Sequence, residues 1–139
     1  CPAAVCWSNF KQYFAHDGLG YSCSLSDVVE YFWLYSDLMK IWSKNYPTKI
    51  IEIDYDILTG NPETSIRNMI KASGLSWDQN CLTPHTNKRA VKTASYKQVR
   101  QKIYKDSSLG WKKYQHLLAQ IDDQKTSEKI KWLMENSRI

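Results

Sequence analysis

Residues 49–55, KIIEIDY, place Ile50, Ile51 and Ile53 in a run dense enough for a strand buried on both faces, as in a parallel sheet covered by helices. This is the one clear strand, over about residues 49–54, and a single strand cannot stand alone. The sheet it belongs to must therefore be supplied mostly by residues outside this chain, by another molecule, or by an unusual remodelling. At 139 residues the chain is one domain's worth and long enough to bury a core. Its 42% hydrophobic and 13% aromatic content is that of a globular protein. No apolar run approaches the roughly 18 residues that a membrane span needs. The opening CPAAVCWSNF lacks an initiator Met, a basic leader and a long apolar stretch, so no signal peptide is expected and the chain reads as a piece.

The rest of the periodicity is helical. In residues 2–14, Val5, Phe10 and Phe14, with Trp7, recur at helical spacing after Pro2. Ser8 and Lys11, three apart, share a face where a hydroxyl and an ammonium could meet one anion, or are an exposed pair on an ordinary amphipathic helix. After the loop HDGLGYSCS, Ser24 or Ser26 caps the longest helix, which runs to about Asn45 and stops at Asn45-Tyr46-Pro47. Its stripe of Val28, Val29, Phe32, Tyr35, Leu38, Met39 and Trp42 is expected to be core. Asn61 as N-cap and Pro62 at the first helical position open a further helix with Ile66, Met69 and Ile70 on its buried face, ended by Gly74. Cys1, Cys6, Cys23 and Cys81 show neither CxxC spacing nor a zinc pattern, and are expected to be reduced thiols in a cytoplasmic protein, with a Cys6 to Cys23 bridge as the alternative.

Charge is concentrated in residues 83–114. Lys88, Arg89, Lys92, Lys97, Arg100, Lys102, Lys105, Lys112 and Lys113 stand there against one acid, Asp106: a net +8 within a chain of net +5, which leaves the remainder at −3. Among them lie Thr93, Ser95, Ser107, Ser108, Tyr96, Tyr104 and Trp111. Cations, hydroxyls and flat rings together suit a phosphorylated nucleotide, through charge-assisted bonds to phosphate and a ring against the base. A solvated basic loop would have the same composition.

Three segments in order resemble a known family. Tyr55-Asp56-Ile57-Leu58, then Asn61-Pro62-Glu63 and a short helix ending in Gly74-Leu75, is similar to the Y-E-D-L-x-x-x-P-E segment of the nucleotide-dependent sulfotransferases. Residues 93–114, T-A-S-x-x-Q-V-R-Q-x-I-Y-x-x-S-x-x-x-W-x-x-Y, resemble the late loop of bacterial sulfotransferases often fused to tetratricopeptide repeats, and more distantly tyrosylprotein sulfotransferases. Pro2 followed by Ser8 resembles the R-x-P-x-x-x-x-x-S motif that binds the cofactor's 3′-phosphate.

The resemblance implies an α/β fold: residues 1–139 as the mostly helical C-terminal part of a P-loop-like sulfotransferase domain with a parallel sheet. It implies 3′-phosphoadenosine 5′-phosphosulfate (PAPS) as co-substrate, with a small molecule, glycan or protein as hydroxyl or amine acceptor. Carried over residue by residue, Ser8 would bind the 3′-phosphate, and Tyr55 would lie against the adenosine. Thr93, Ser95 and Tyr96 would line the adenine side, and Lys105 would return to the 3′-phosphate, with Arg100 and Lys102 as adjacent candidates. The family's arginine of R-x-P would fall one position before Cys1. Its opening strand, phosphosulfate loop and general base have no counterpart in the sequence, so the chain is expected to be inactive alone, with the missing N-terminal part as a partner. His16, His85 and His116 are isolated and are not expected to be catalytic. The alternative from another class is a small basic helical nucleic-acid-binding module that stacks bases on Tyr96, Tyr104 and Trp111. A further alternative docks the C-terminal tail as an amphipathic helix through Ile130, Leu133 and Met134, a stripe that reads first as ordinary packing.

Overall fold

The computed structural model describes residues 1–14, 18–93, 95–118 and 124–137, apart from the side chains of Leu118 and Lys125. Six α-helices appear among them: α1 (Pro2–Lys11), α2 (Leu25–Asn45), α3 (Tyr55–Gly60), α4 (Pro62–Ala72), α5 (Gln115–Leu118) and α6 (Gln124–Glu135), with several 3₁₀ turns between. Two compact units are formed, one from Cys1–Pro47 with Ser108–Ile139 and one from Thr48–Ser107.

In the first unit, α1 begins with Pro2 in its first turn, where a missing N–H costs nothing. Ala3, Cys6 and Trp7, spaced by three and four, form its buried face. The Ser24 hydroxyl accepts the Asp27 N–H at 3.3 Å and caps α2. These helices meet α6 around a core of Ala3, Cys6, Trp7, Val28, Val29, Trp111, Ile130 and Leu133. Each buried Val, Leu or Ile there contributes about 1.5–3 kcal/mol. Aromatic contacts extend this core: Trp7 stacks on Tyr114 with centroids 4.4 Å apart, and Trp33 meets Trp132 tilted at 4.8 Å. Lys129 Nζ lies 2.6 Å from both carboxylate oxygens of Glu30 and joins α6 to α2. The Ala3 N–H, one of the unpaired donors of the first turn, donates to the buried Ser137 hydroxyl at 2.8 Å. Ile130 and Leu133 are thus packed inside this unit, as the ordinary-packing reading has it.

Two expectations are corrected. The α2 stripe is buried only at Val28 and Val29; Tyr35, Leu38 and Trp42 are exposed, and Leu34, at 67%, more so. The elements of this unit cover the first turns of α2 and not the rest. The α1 helix also ends at Lys11, short of Phe14.

In the second unit, the strand expected at residues 49–54 is absent, and no strand occurs among the described residues. Residues 50–54 are irregular, and Ile51 and Ile53 are each 45% exposed. A strand is stable only when neighbouring strands pair its N–H and C=O groups, and this unit offers none. Asp54 instead caps α3, its Oδ1 accepting the N–H groups of Asp56 at 2.8 Å and Ile57 at 3.0 Å. Asn61 precedes α4 as read, but its side chain makes no capping bond; its N–H closes α3 on Ile57 O at 2.8 Å. The α4 helix buries Ile66 and ends at Gly74, whose φ of +69° lets the Leu75 N–H reach Ile70 O at 3.1 Å. Arg67 grips Glu63 through Nε (3.0 Å) and Nη2 (2.8 Å), and its guanidinium lies 3.9 Å from the Trp77 ring centroid.

Candidate functional site

Six positions were singled out as binding residues: Ser8 belongs to the first unit, and Tyr55, Thr93, Ser95, Tyr96 and Lys105 to the second. Ser8 is exposed in the middle of α1, and Lys11 is exposed one turn later on the same face. A hydroxyl and an ammonium are therefore both free to meet an anion there.

The second unit brings distant parts of the sequence together. Tyr55 opens α3 directly after its cap, and backbone bonds from both Asp56 and Ile57 hold the start of that helix in place. The bond to Ile57, foremost, keeps the Asp54 carboxyl below the usual carboxylate range, although burial works against it. The Tyr55 hydroxyl lies 3.4 Å from Ser107 Oγ, so the ring, 52% exposed, stands beside the segment that carries Lys105. Asp106 links the two with φ +68°, a left-handed conformation that Asp tolerates better than most residues.

Thr93, Ser95 and Tyr96 form a single turn, closed by Tyr96 N–H to Thr93 O at 3.1 Å and Val99 N–H to Ser95 O at 3.0 Å. It leads into a 3₁₀ turn, Gln98–Arg100, that packs on another, Pro84–Thr86. Ser95 is half-buried, Thr93 is exposed, and Tyr96 offers an open ring face at 54% exposure. Arg100 Nη2 donates to Arg89 O at 2.5 Å, and its guanidinium carbon is 5.9 Å from the Tyr96 ring centroid. Arg100 therefore braces the turn, while Lys102 is exposed.

Cations outnumber acids in this unit, although Asp54 and Asp56 flank Tyr55 and Asp106 follows Lys105. Lys88, Arg89, Lys92, Lys97, Arg100, Lys102 and Lys105 all lie in this unit, and among the described residues no ion pair engages any of them. Unpaired cations beside hydroxyls and open rings form a surface able to take a polyanion with an aromatic part.

Sequence reasoning missed Asp54, and it missed that Ser107, named among the hydroxyls of the basic stretch, meets Tyr55. Asp54 had a signal, since an Asp before a helical run is a capping residue. The pairing of Ser107 with Tyr55 had none, because it spans 52 positions. His85 is half-buried with Nδ1 unpartnered among the described residues, and His116 is exposed on α5; His16 lies outside the described residues. All four cysteines are free, and the Cys6 to Cys23 bridge is not formed. Burial pushes the Cys6 thiol up to about 12, which leaves it protonated and inert at neutral pH. Among the described residues no helix is long and apolar enough to cross a membrane.

Comparison with known proteins adds to this geometry. The model of the sulfotransferase family matches residues 2–79. An uncharacterized protein of Aquifex aeolicus is 36% identical over 119 residues, covering 84% of this chain and 16% of that protein. The chain thus spans only 16% of the length of this relative. No solved structure matches significantly.

Proposed function

The chain belongs to the sulfotransferase family, and from that premise we propose that it supplies the adenosine 3′-phosphate side of a PAPS site. The observation that carries this reading is the contact of Tyr55 with Ser107 at 3.4 Å, which sets the exposed ring beside the segment that carries Lys105, two residues before Ser107. A nucleotide needs such a pair: a flat face for the base or ribose, and a cation for the phosphate. The Tyr96 turn adds a second open ring with the hydroxyls of Thr93 and Ser95. Ser8 keeps the 3′-phosphate role that its motif implies.

Sulfuryl transfer would pass the group from PAPS to a hydroxyl or amine acceptor by in-line attack. That step needs a base for the acceptor's proton and cations on the leaving phosphate. The resemblance gives these residues neither, so in our reading the chain does not catalyse transfer alone. The parent domain would be of the bacterial, tetratricopeptide-associated kind, cytoplasmic, with residues 1–139 as its C-terminal part and a parallel sheet supplied elsewhere. Two surfaces support that last point: the open apolar face of α2 at Leu34, Leu38 and Ile41, and the exposed Ile51 and Ile53 of the would-be strand. A nucleic-acid module explains the basic stretch but not the family match.

Calorimetric titration with adenosine 3′,5′-bisphosphate, with adenosine 5′-monophosphate as control, tests the reading. We expect the bisphosphate to bind at least tenfold tighter, and Lys105→Ala or Ser8→Ala to remove that preference. Equal affinity for the two nucleotides would sink it.

A further inference from the structure

The first unit holds a cavity that the nucleotide reading does not use. It measures about 190 Å³ and is walled by the rings of Tyr21, Tyr31, Phe32 and Tyr35 over a floor of Cys6 and Val28. Tyr21 and Tyr31 are stacked with centroids 4.1 Å apart and planes 9° apart, and Phe32 and Tyr35 are tilted by 49° at 6.1 Å. The floor is apolar, since Cys6 and Val28 are almost wholly buried and the Cys6 thiol carries no charge at neutral pH.

One side chain in the lining gives this space a direction. Asn9 donates through Nδ2 to Val5 O at 3.0 Å, while its Oδ1 receives the Tyr21 hydroxyl only at a long 3.4 Å. A carboxamide oxygen has two acceptor positions, so Oδ1 can take a further, shorter bond.

We propose that this cavity is a binding site for one small uncharged phenol-type molecule, a single planar ring whose hydroxyl donates to Asn9 Oδ1. Size favours one ring, because apolar cavities of about 150 Å³ hold a benzene-sized guest. Flat aromatic walls favour a planar guest over a puckered one. Among the described residues no carboxylate or ammonium lines the space, which favours an uncharged ligand.

The test is a titration of the full chain with 4-methylphenol, followed by ¹⁵N–¹H NMR at the Asn9 side-chain amide and the Val28 backbone amide. Saturable shifts at both are expected, with 4-methylcyclohexanol, of similar size but not flat, at least tenfold weaker. Asn9→Leu should weaken 4-methylphenol about tenfold. Val5→Trp, placed at the exposed edge of the lining, should abolish its binding with the far-ultraviolet circular dichroism unchanged; if this variant does not fold, Asn9→Leu decides. The proposal is overturned by unsaturable shifts, by equal affinity for the cyclohexanol, or by Asn9→Leu binding like the parent. Tighter binding of tetramethylammonium would make the site a cation cage, and tighter binding of N-acetyl-tyrosinamide would make it a seat for a protein side chain. Either would refute the assignment. No nucleotide is present in the titration, so its failure leaves the PAPS reading untouched.

Discussion

At the scale of single residues, Asp54 and Cys6 carry the displaced ionisations among the described residues, and they bear on stability at opposite ends of the pH range. The Asp54 carboxyl is held low by the N–H groups it caps. Its contribution is present above the unfolded carboxyl pKa of about 3.9 and is lost as the pH falls through the lower folded value. Replacing the cap by Asp54→Ala should cost about 1 kcal/mol at pH 7, measured by urea denaturation, and the difference should shrink on acidification to about pH 3. Cys6 has the other sign. Its folded pKa is raised to about 12 from 9.0, so its contribution is complete below 9.0 and falls away as the pH rises towards 12. Melting temperatures between pH 8 and pH 10.5 should fall more steeply in the parent than in Cys6→Ala. Gly74 is the third such position: Gly74→Ala should cost about 1–2 kcal/mol from the positive φ alone, since a Cβ there meets nothing within 4 Å.

Between elements, α2 shows how far a pattern can be read and where it fails. Its end at Asn45 was legible, and its cap was legible as one of Ser24 and Ser26, of which the structure uses Ser24, because caps and prolines act locally. Its burial was not, because an apolar stripe tells which face seeks cover and not whether cover is present. The same holds for KIIEIDY, where composition asks for a sheet that these residues do not supply. In the site, the motif singled out Thr93, Ser95 and Tyr96 but not the turn that they form. The approach of Ser107 to Tyr55 depends on chain folding over 52 positions, which no local rule reports. The energetic contrast along α2 is testable. Leu133→Ala, removing a fully buried partner from α6, should cost about 2–5 kcal/mol in urea denaturation, whereas Leu38→Ala on the open face of α2 should cost well under 1 kcal/mol in this chain.

For the molecule as a whole, the reading proposed above asks the cations of Thr48–Ser107 to meet the phosphates of a nucleotide. Their pairing with an anion should be salt-sensitive: raising ionic strength from about 0.05 to 0.5 M should weaken the bisphosphate more than the monophosphate, read by the same calorimetry. The bond from the Ala3 N–H to Ser137 Oγ, at 2.8 Å, has a topological consequence of its own. It brings residue 3 against residue 137, and so ties the two segments of the first unit together at one point. Positions held side by side in this way can be joined by a short linker without prying the packing apart. A circular permutant that fuses the ends through a short glycine linker and reopens the chain at the exposed turn around Pro47 should therefore keep the packing of Trp7 against Tyr114.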